Sequence, residues 1–200
     1  MESITLPALP FPLRWEPAPE RWHVAPGGAL SITAGPRTDL FVDPQGAEPA
    51  LNAPRLVGRP AGDFQLSARV TVDHVATYDA GVLVLHAHDR AWAKLCLERS
   101  PRGEAMIVSV VTRGVSDDAN GFTVDGGTVW LRVARNGPAI AFHASTDGAY
   151  WQLVRHFALD PAAALDVGFE AQSPTGDGCT AVFDAIAYRP ESLADLRSGV

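Results

Sequence analysis

The chain has 200 residues, 46% of them hydrophobic and 20% charged, with 18 Gly and 16 Pro. This composition indicates one folded domain over residues 1–200 and excludes a disordered chain. The formal net charge of −7 disfavours nucleic acids and anionic membranes as partners, because both are bound through clustered Lys and Arg.

The location of the protein is predicted from what the sequence lacks. No apolar run approaches the ~20 residues that span a bilayer, and the first residues show no basic start followed by an apolar run. The two cysteines, Cys96 and Cys179, are too few for a disulfide framework and lie in apolar, strand-like runs. We therefore expect a cytoplasmic protein with reduced thiols.

Prolines dominate the beginning of the chain, where six of the first 26 residues are Pro. Proline fixes φ and removes an amide donor, so residues 1–28 are predicted to form an extended arm and not a central strand. Trp15 and Trp22 within this arm need burial, which predicts that the arm packs on the body of the domain.

After the arm, apolar and polar residues alternate with the period of a β-strand. Strands are predicted at 29–34, 64–72, 80–88, 92–99, 106–113, 129–135, 140–145, 151–157, 166–172 and 181–188. Turn signals such as Asn136-Gly137 and Asp147-Gly148 separate them. Short strands at this spacing predict an all-β sandwich or barrel. Only residues 191–197, with Ser192 as the cap, are predicted to be helical.

The alternation also predicts which side chains share a face. If the strands belong to one sheet, a single face collects charged, polar and aromatic residues. These are Trp92, Lys94, Glu98, Ser109, Trp130, Arg132, His143, Glu170 and Gln172. Such a mixture suits a small polar ligand, because aromatic rings cover C–H surface while charged groups take hydroxyls or acids. The alternative interpretation is a solvated face with a cross-strand ion pair, worth ~0.2–1 kcal/mol.

The order of short segments along the chain resembles the regulation-of-enolase family, a domain of largely unknown function. The matching segments are 38–41, 52–54, 62–64, 78–83, 92–98, 109–117, 129–133, 145–148 with Trp151, and 167–174, within residues 15–188. The resemblance implies a two-sheet antiparallel jelly-roll sandwich of the concanavalin A-like lectin/glucanase type, with a concave face like a lectin groove. It implies no established reaction. The family name reflects a regulatory association with enolase.

We therefore predict a non-catalytic protein that binds a saccharide or an anionic metabolite on this face, without a cofactor. Trp92 and Trp130 would supply stacking surfaces, and Lys94 and Arg132 would pair with a carboxylate or phosphate. Hydroxyl groups would be held by Glu98, Glu170 and Gln172. Ser116 and Asp117 would lie on a loop at the rim.

Two further function classes are weighed against this one. A protein-interaction or regulatory module would dock a partner on the same face and would show a flat apolar patch in place of a groove. A glycoside hydrolase would need two carboxyl groups about 5–9.5 Å apart and an acid of raised pKa. Lys94 and Arg132 are expected to keep Glu98 and Glu170 ionised, which disfavours hydrolysis.

Metal-binding patterns are weak, and no metal site is assigned. His86 and His88 could chelate a metal with Asp89 adjacent, but structural histidines explain them better. Residues 116–121 partly resemble a calcium loop, yet they lack the acid at its first position and the Glu at its twelfth. A hydrogen-bonded turn explains this stretch equally well.

Overall fold

The chain folds into sixteen β-strands arranged mainly in two antiparallel sheets, as seen in a computed structural model that describes residues 3–160 and 163–200. The strands are β1 (Arg14–Trp15), β2 (Arg21–Val24), β3 (Leu30–Ala34), β4 (Leu40–Phe41), β5 (Ala50–Leu51), β6 (Arg55–Gly58), β7 (Phe64–Val72), β8 (Ala80–His88), β9 (Ala91–Arg99), β10 (Ala105–Arg113), β11 (Val115–Thr123), β12 (Thr128–Asn136), β13 (Ala139–Ser145), β14 (Gln152–Ala158), β15 (Asp166–Gln172) and β16 (Cys179–Arg189). Residues 1 and 2 of the predicted arm lie outside the described part of the chain.

The first sheet has the strand order β1-β6-β15-β8-β9-β10-β11, and the second has β14-β13-β12-β7-β16-β3-β2. A two-stranded ribbon of β4 and β5 lies apart from both sheets. The predicted two-sheet antiparallel jelly-roll sandwich of the concanavalin A-like type is thereby confirmed.

The main core lies between the two sheets, because the alternating strands point their apolar positions inward. Phe169 of β15 and Phe183 of β16 meet there with ring centroids 5.1 Å apart, which joins the first sheet to the second. A smaller core lies on the outer face of the first sheet, where Leu40 and its neighbours cover Trp92 and Cys96. The segment 38–53, which carries β4 and β5, therefore covers part of that face.

The arm contributes to both sheets. Ile4, Leu6, Leu9 and Leu13 are buried, β1 pairs with β6 at the edge of the first sheet, and β2 pairs with β3 at the edge of the second. The arm is thus hydrogen-bonded as short edge strands, where proline-rich sequence is tolerated.

Two predictions of secondary structure are wrong. Residues 191–197 form bends and turns instead of a helix, because their backbone groups bond to side chains of the second sheet, as with Asn136 at Leu193. The stretch 116–121 is part of strand β11, not a loop. None of the described residues forms a helix with the length and apolar character that a membrane crossing requires.

Candidate ligand-binding site

The predicted site residues divide between two sheets, so the expectation of one shared face is wrong. Strands β9 and β15 belong to the first sheet, whereas β12 and β13 belong to the second. The first sheet carries Trp92, Lys94, Glu98, Glu170 and Gln172 on its outer face. Alternation along a strand defines its faces but not its sheet, so the sequence alone places Trp130, Arg132 and His143 with the residues of the first sheet.

A cavity of about 350 Å³ opens on the outer face of the first sheet. Six of its ten lining residues carry a charged or amide side chain, and two carry aromatic rings. The lining residues are Asp39, Phe41, Asp43, Tyr78, Lys94, Glu98, Val108, Val110, Asp118 and Gln172. The cavity therefore combines four carboxyl groups, one ammonium group and one amide.

Lys94 is the centre of the cavity's hydrogen bonds. Its Nζ donates to Asp39 Oδ1 at 3.1 Å and to Gln172 Oε1 at 2.7 Å, and the Gln172 amide donates to the Tyr78 carbonyl at 3.3 Å. Burial by itself lowers the pKa of Lys94, but the carboxylates of Asp39 and Glu170 outweigh it and the pKa is raised. Lys94 thus stays charged and joins strands β9 and β15 to the covering segment 38–53.

Glu98 provides a carboxyl group with a raised pKa at the cavity wall. Burial raises its pKa to about 7, with Lys94 opposing and Asp39 and Asp118 adding to the rise. The expectation that nearby cations keep Glu98 fully ionised is therefore wrong, because Lys94 bonds to Asp39 and Arg132 lies on the other sheet.

Tyr78 lies in the loop before β8 with φ of 69°, a left-handed conformation that is rare for a bulky side chain. Its amide donates to the Arg99 carbonyl at 2.8 Å, and its carbonyl accepts the Gln172 amide. The side chain stays 40% exposed at the cavity. The backbone is thus held in a strained form that leaves an aromatic ring at the opening.

Glu170 and Trp92 lie beneath the cavity and not in its lining. Both are 0% exposed, and neither Glu170 oxygen nor Trp92 Nε1 has a hydrogen-bond partner in the described chain. Burial raises the pKa of Glu170 to about 7 against the opposing charges of Lys94 and Arg55. The predicted stacking role of Trp92 is wrong for this cavity, and so is the expectation that Glu170 is kept ionised.

Two more predicted residues, Ser109 and Asp117, lie near the edge of the first sheet. Ser109 alternates with Val108 and Val110 and so points toward the second sheet, where Arg155 contacts its carbonyl at 3.4 Å. Asp117 also pairs with Arg155, at 2.8 Å. Ser116 and Asp117 lie in strand β11, so the rim loop predicted for them is absent, and the contacts of Arg155 with Ser109 and Asp117 help to close the sandwich.

Ser116 does face the outer side and holds the covering segment. Its Oγ accepts from the Val42 amide at 2.9 Å, and its own amide donates to the Val42 carbonyl at 3.0 Å. Ser116 is buried and bonds to Thr112 at 2.9 Å. It therefore positions residues 38–43 over the cavity without lining it.

The second-sheet residues lie beneath residues 193–200. Arg132 Nη2 donates to the Gly199 carbonyl at 2.7 Å, and His143 Nε2 lies 2.7 Å from the Leu196 carbonyl. Burial lowers the pKa of Arg132 to about 10 and that of His143 to about 4. Trp130 is flanked by the Arg69 guanidinium, 5.5 Å from its ring centroid.

Sequence reasoning missed seven of the ten residues that line the cavity. Asp39, Phe41 and Asp43 come from a segment without strand periodicity, and Tyr78 comes from a loop. The sequence predicts a turn at Asp118, because β11 is mostly exposed and polar, which hides the alternation of a strand. In the ranges 3–160 and 163–200, no group of three or more His, Cys, Asp or Glu side chains could hold a metal ion.

Comparison with known proteins places this geometry among β-sandwich relatives. A family model described as "Protein of unknown function (DUF1349)" matches residues 15–191, and no match was found among curated proteins. A functionally unknown protein from Saccharomyces cerevisiae superposes with a TM-score of 0.81 at 23% identity, covering 88% of this chain and 95% of that one.

Two carbohydrate-related structures also resemble the chain. The GH43 BlXynB protein from Bacillus licheniformis superposes with a TM-score of 0.67 at 18% identity, covering 86% of this chain and 35% of that one. The Bacteroides ovatus GH43B protein of a xyloglucan PUL gives a TM-score of 0.69 at 17% identity, covering 88% and 36%. The chain thus spans about a third of the length of either GH43 protein, and at these identities the likeness is one of fold.

Proposed function

The chain belongs to the DUF1349 family of proteins of unknown function, and on that premise we propose that it binds a small neutral saccharide in the cavity on the first sheet. The observation that carries the proposal is the cavity's lining. Four carboxyl groups, an amide and a buried ammonium surround about 350 Å³ beside the rings of Phe41 and Tyr78. This volume falls within the range of ~300–1,000 Å³ that small-ligand pockets occupy.

The distribution of charge supports a neutral ligand over an anionic metabolite. Lys94 already pairs with Asp39, so a ligand's carboxylate or phosphate would meet the remaining acids of the lining. Carboxylates accept hydrogen bonds from sugar hydroxyls, and the Gln172 amide can either accept or donate. The exposed ring of Tyr78 offers a surface for the C–H face of a pyranose.

The closest enzymatic alternative is glycoside hydrolysis, and one observation favours it. Glu98 has a pKa of about 7, which is what a general acid needs near neutral pH, and other carboxyl groups share its cavity. Binding without turnover is our proposal. Release of nitrophenol from aryl glycosides by wild type, and its loss in Glu98→Gln, would support the hydrolase in its place.

The resemblance to the regulation-of-enolase family provides the remaining alternative, a regulatory module that docks a protein partner. A groove that carries four carboxyl groups, an ammonium and an amide suits a small ligand better than the flat apolar patch expected of such a module. We also propose a cytoplasmic location, since both cysteines are free and buried. Co-purification of enolase from cell extract, unaffected by saturating sugar, would favour the docking module.

The direct test is calorimetric titration with neutral mono- and disaccharides, using glucose 6-phosphate as an anionic counterpart of glucose. We expect at least one neutral sugar to bind and Asp118→Asn to weaken it about tenfold, a loss of ~1.4 kcal/mol. Asp125→Asn, a matched change in the exposed turn before β12, should bind like wild type. No binding of any neutral sugar, or binding that Asp118→Asn leaves unchanged, contradicts the proposal.

A further inference from the structure

Arg132 lies buried on the outer face of the second sheet with an incomplete set of partners. It is 6% exposed, its Nη2 donates to the Gly199 carbonyl at 2.7 Å, and its Nε has no partner. No carboxylate of the described chain pairs with it. A buried cation that donates to one neutral carbonyl has lost hydration without gaining an opposite charge.

Two other arginines of the same molecule show how the guanidinium edge formed by Nε and Nη2 binds a partner. Arg69 places Nε and Nη2 on the two oxygens of Asp184 at 2.6 and 2.8 Å. Arg59 does the same with Asp166 at 2.8 and 3.1 Å. A planar carboxylate matches both donors of this edge at once, whereas a single carbonyl leaves one of them unused.

The surroundings of Arg132 suit a small ligand. The centroid of the Trp151 ring lies 4.3 Å from the guanidinium carbon of Arg132. This cation–π contact fixes the plane of the guanidinium group. Its cross-strand neighbour His143 is fully buried, with Nδ1 unpartnered and Nε2 on the Leu196 carbonyl. Two neighbouring side chains that could hold an anion are thus occupied by main-chain carbonyls of one segment.

That segment, residues 193–200, is held by few groups. Leu193 is its buried apolar side chain, and Asn136 bonds to both the carbonyl and the amide of Leu193, at 2.8 and 3.2 Å. It forms turns and contains no strand that pairs with the sheet. Displacing it from Arg132 therefore breaks no ladder of the sandwich.

We propose that Arg132 is the centre of a carboxylate-binding site on the second sheet, covered by residues 193–200, and that a small carboxylate ligand takes the place of the Gly199 carbonyl. The carboxylate binds side-on to Nε and Nη2, next to the ring of Trp151. This site lies on the opposite sheet from the saccharide cavity and does not depend on it.

The test uses succinate as the probe, with succinamide as its neutral match, at constant ionic strength and on the full chain. Calorimetry should show succinate binding, strengthened about fivefold by Leu193→Ser because the covering segment then competes less. Arg132→Lys, which keeps the charge but loses the two-donor edge, should weaken binding at least tenfold. Arg102→Gln, in an exposed turn, and Asp118→Asn, in the saccharide cavity, should leave succinate binding unchanged.

Hydrogen exchange on wild type provides a second readout that needs no variant to fold. Succinate should speed amide exchange in residues 193–200, and succinamide should not. Equal binding of succinate and succinamide, retention of binding in Arg132→Lys, or unchanged exchange in residues 193–200 at saturating succinate would each overturn the proposal. Absence of succinate binding to a folded Leu193→Ser protein would do so as well.

Discussion

Glu170 shows at the residue scale how a buried carboxyl group ties stability to pH. Both of its oxygens lack partners, and burial raises its pKa to about 7, so the folded protein holds this proton more tightly than the unfolded chain does. Its contribution to stability is complete below the unfolded pKa near 4.5 and is lost as the pH rises through about 7.

We expect Glu170→Gln to remove this dependence. The variant should unfold at a similar urea concentration to wild type at pH 5 and at a higher one at pH 8, a gain on the order of 1–3 kcal/mol. Urea titrations at pH 5, 6, 7 and 8 measure it. Glu48→Gln, which changes an exposed glutamate, is the control, and a parallel pH profile for Glu170→Gln and wild type would contradict the argument.

Tyr78 is a second residue that costs stability, because its backbone is strained while its side chain lines the proposed binding site. A tyrosine at φ of 69° carries a strain on the order of 1 kcal/mol, which glycine does not. Tyr78→Gly should therefore keep the melting temperature within a few degrees of wild type while losing saccharide binding. Calorimetry and thermal unfolding of the same samples test both halves, and Tyr150→Gly, at an exposed tyrosine outside the cavity, should retain binding.

At the element scale, Lys94 links the segment 38–53 to the first sheet. Lys94 reaches from β9 to Asp39 and Gln172, and it also offsets the buried charge of Glu170. Lys94→Met would leave these groups without their cation, and loss of one partner from a buried pair costs about 3–5 kcal/mol.

A double-mutant cycle separates these roles. At pH 8, Lys94→Met should be strongly destabilised, and adding Glu170→Gln should restore part of the loss, with a coupling of about 0.5–3 kcal/mol. Hydrogen exchange should rise in residues 38–53 of both Lys94 variants, because the bond to Asp39 is absent in each. Strict additivity of the two substitutions would show that Lys94 does not act on Glu170.

The elements also show how far the sequence could predict the site. The sequence predicts the bounds of β7, β8 and β15 to the residue, because β7 alternates with one face in the core, while β8 and β15 are buried on both faces. The sequence does not predict strand β11, because an edge strand exposed to water needs no apolar face. The sheet to which each strand belongs depends on long-range pairing, so Lys94 and Arg132 could not be separated by periodicity.

At the scale of the whole molecule, the arm connects the edges of the two sheets through β1 and β2. Asp166 of β15 fixes it, because this buried carboxylate accepts from Arg14 at 2.6 Å and from Arg59 at 2.8 and 3.1 Å. Burial opposes ionisation of Asp166, but the bonds from the two arginines outweigh it and lower its pKa. Its stabilising effect is therefore present above the unfolded pKa of 3.8 and is lost as the pH falls through the lower folded value.

Asp166→Asn should release the arm without unfolding the sandwich. The substitution leaves two arginines without their carboxylate, so we expect a loss of about 2–4 kcal/mol at pH 7 and faster hydrogen exchange in residues 3–15. Exchange in β8 and β7, the middle strands of the two sheets, should stay slow. As the pH falls below 3.8, the variant and wild type should converge in stability, because wild-type Asp166 loses its ion pairs once it takes up a proton. If the arm stays protected in Asp166→Asn, then its buried leucines hold it by themselves and the ion pairs contribute little to closing the sandwich.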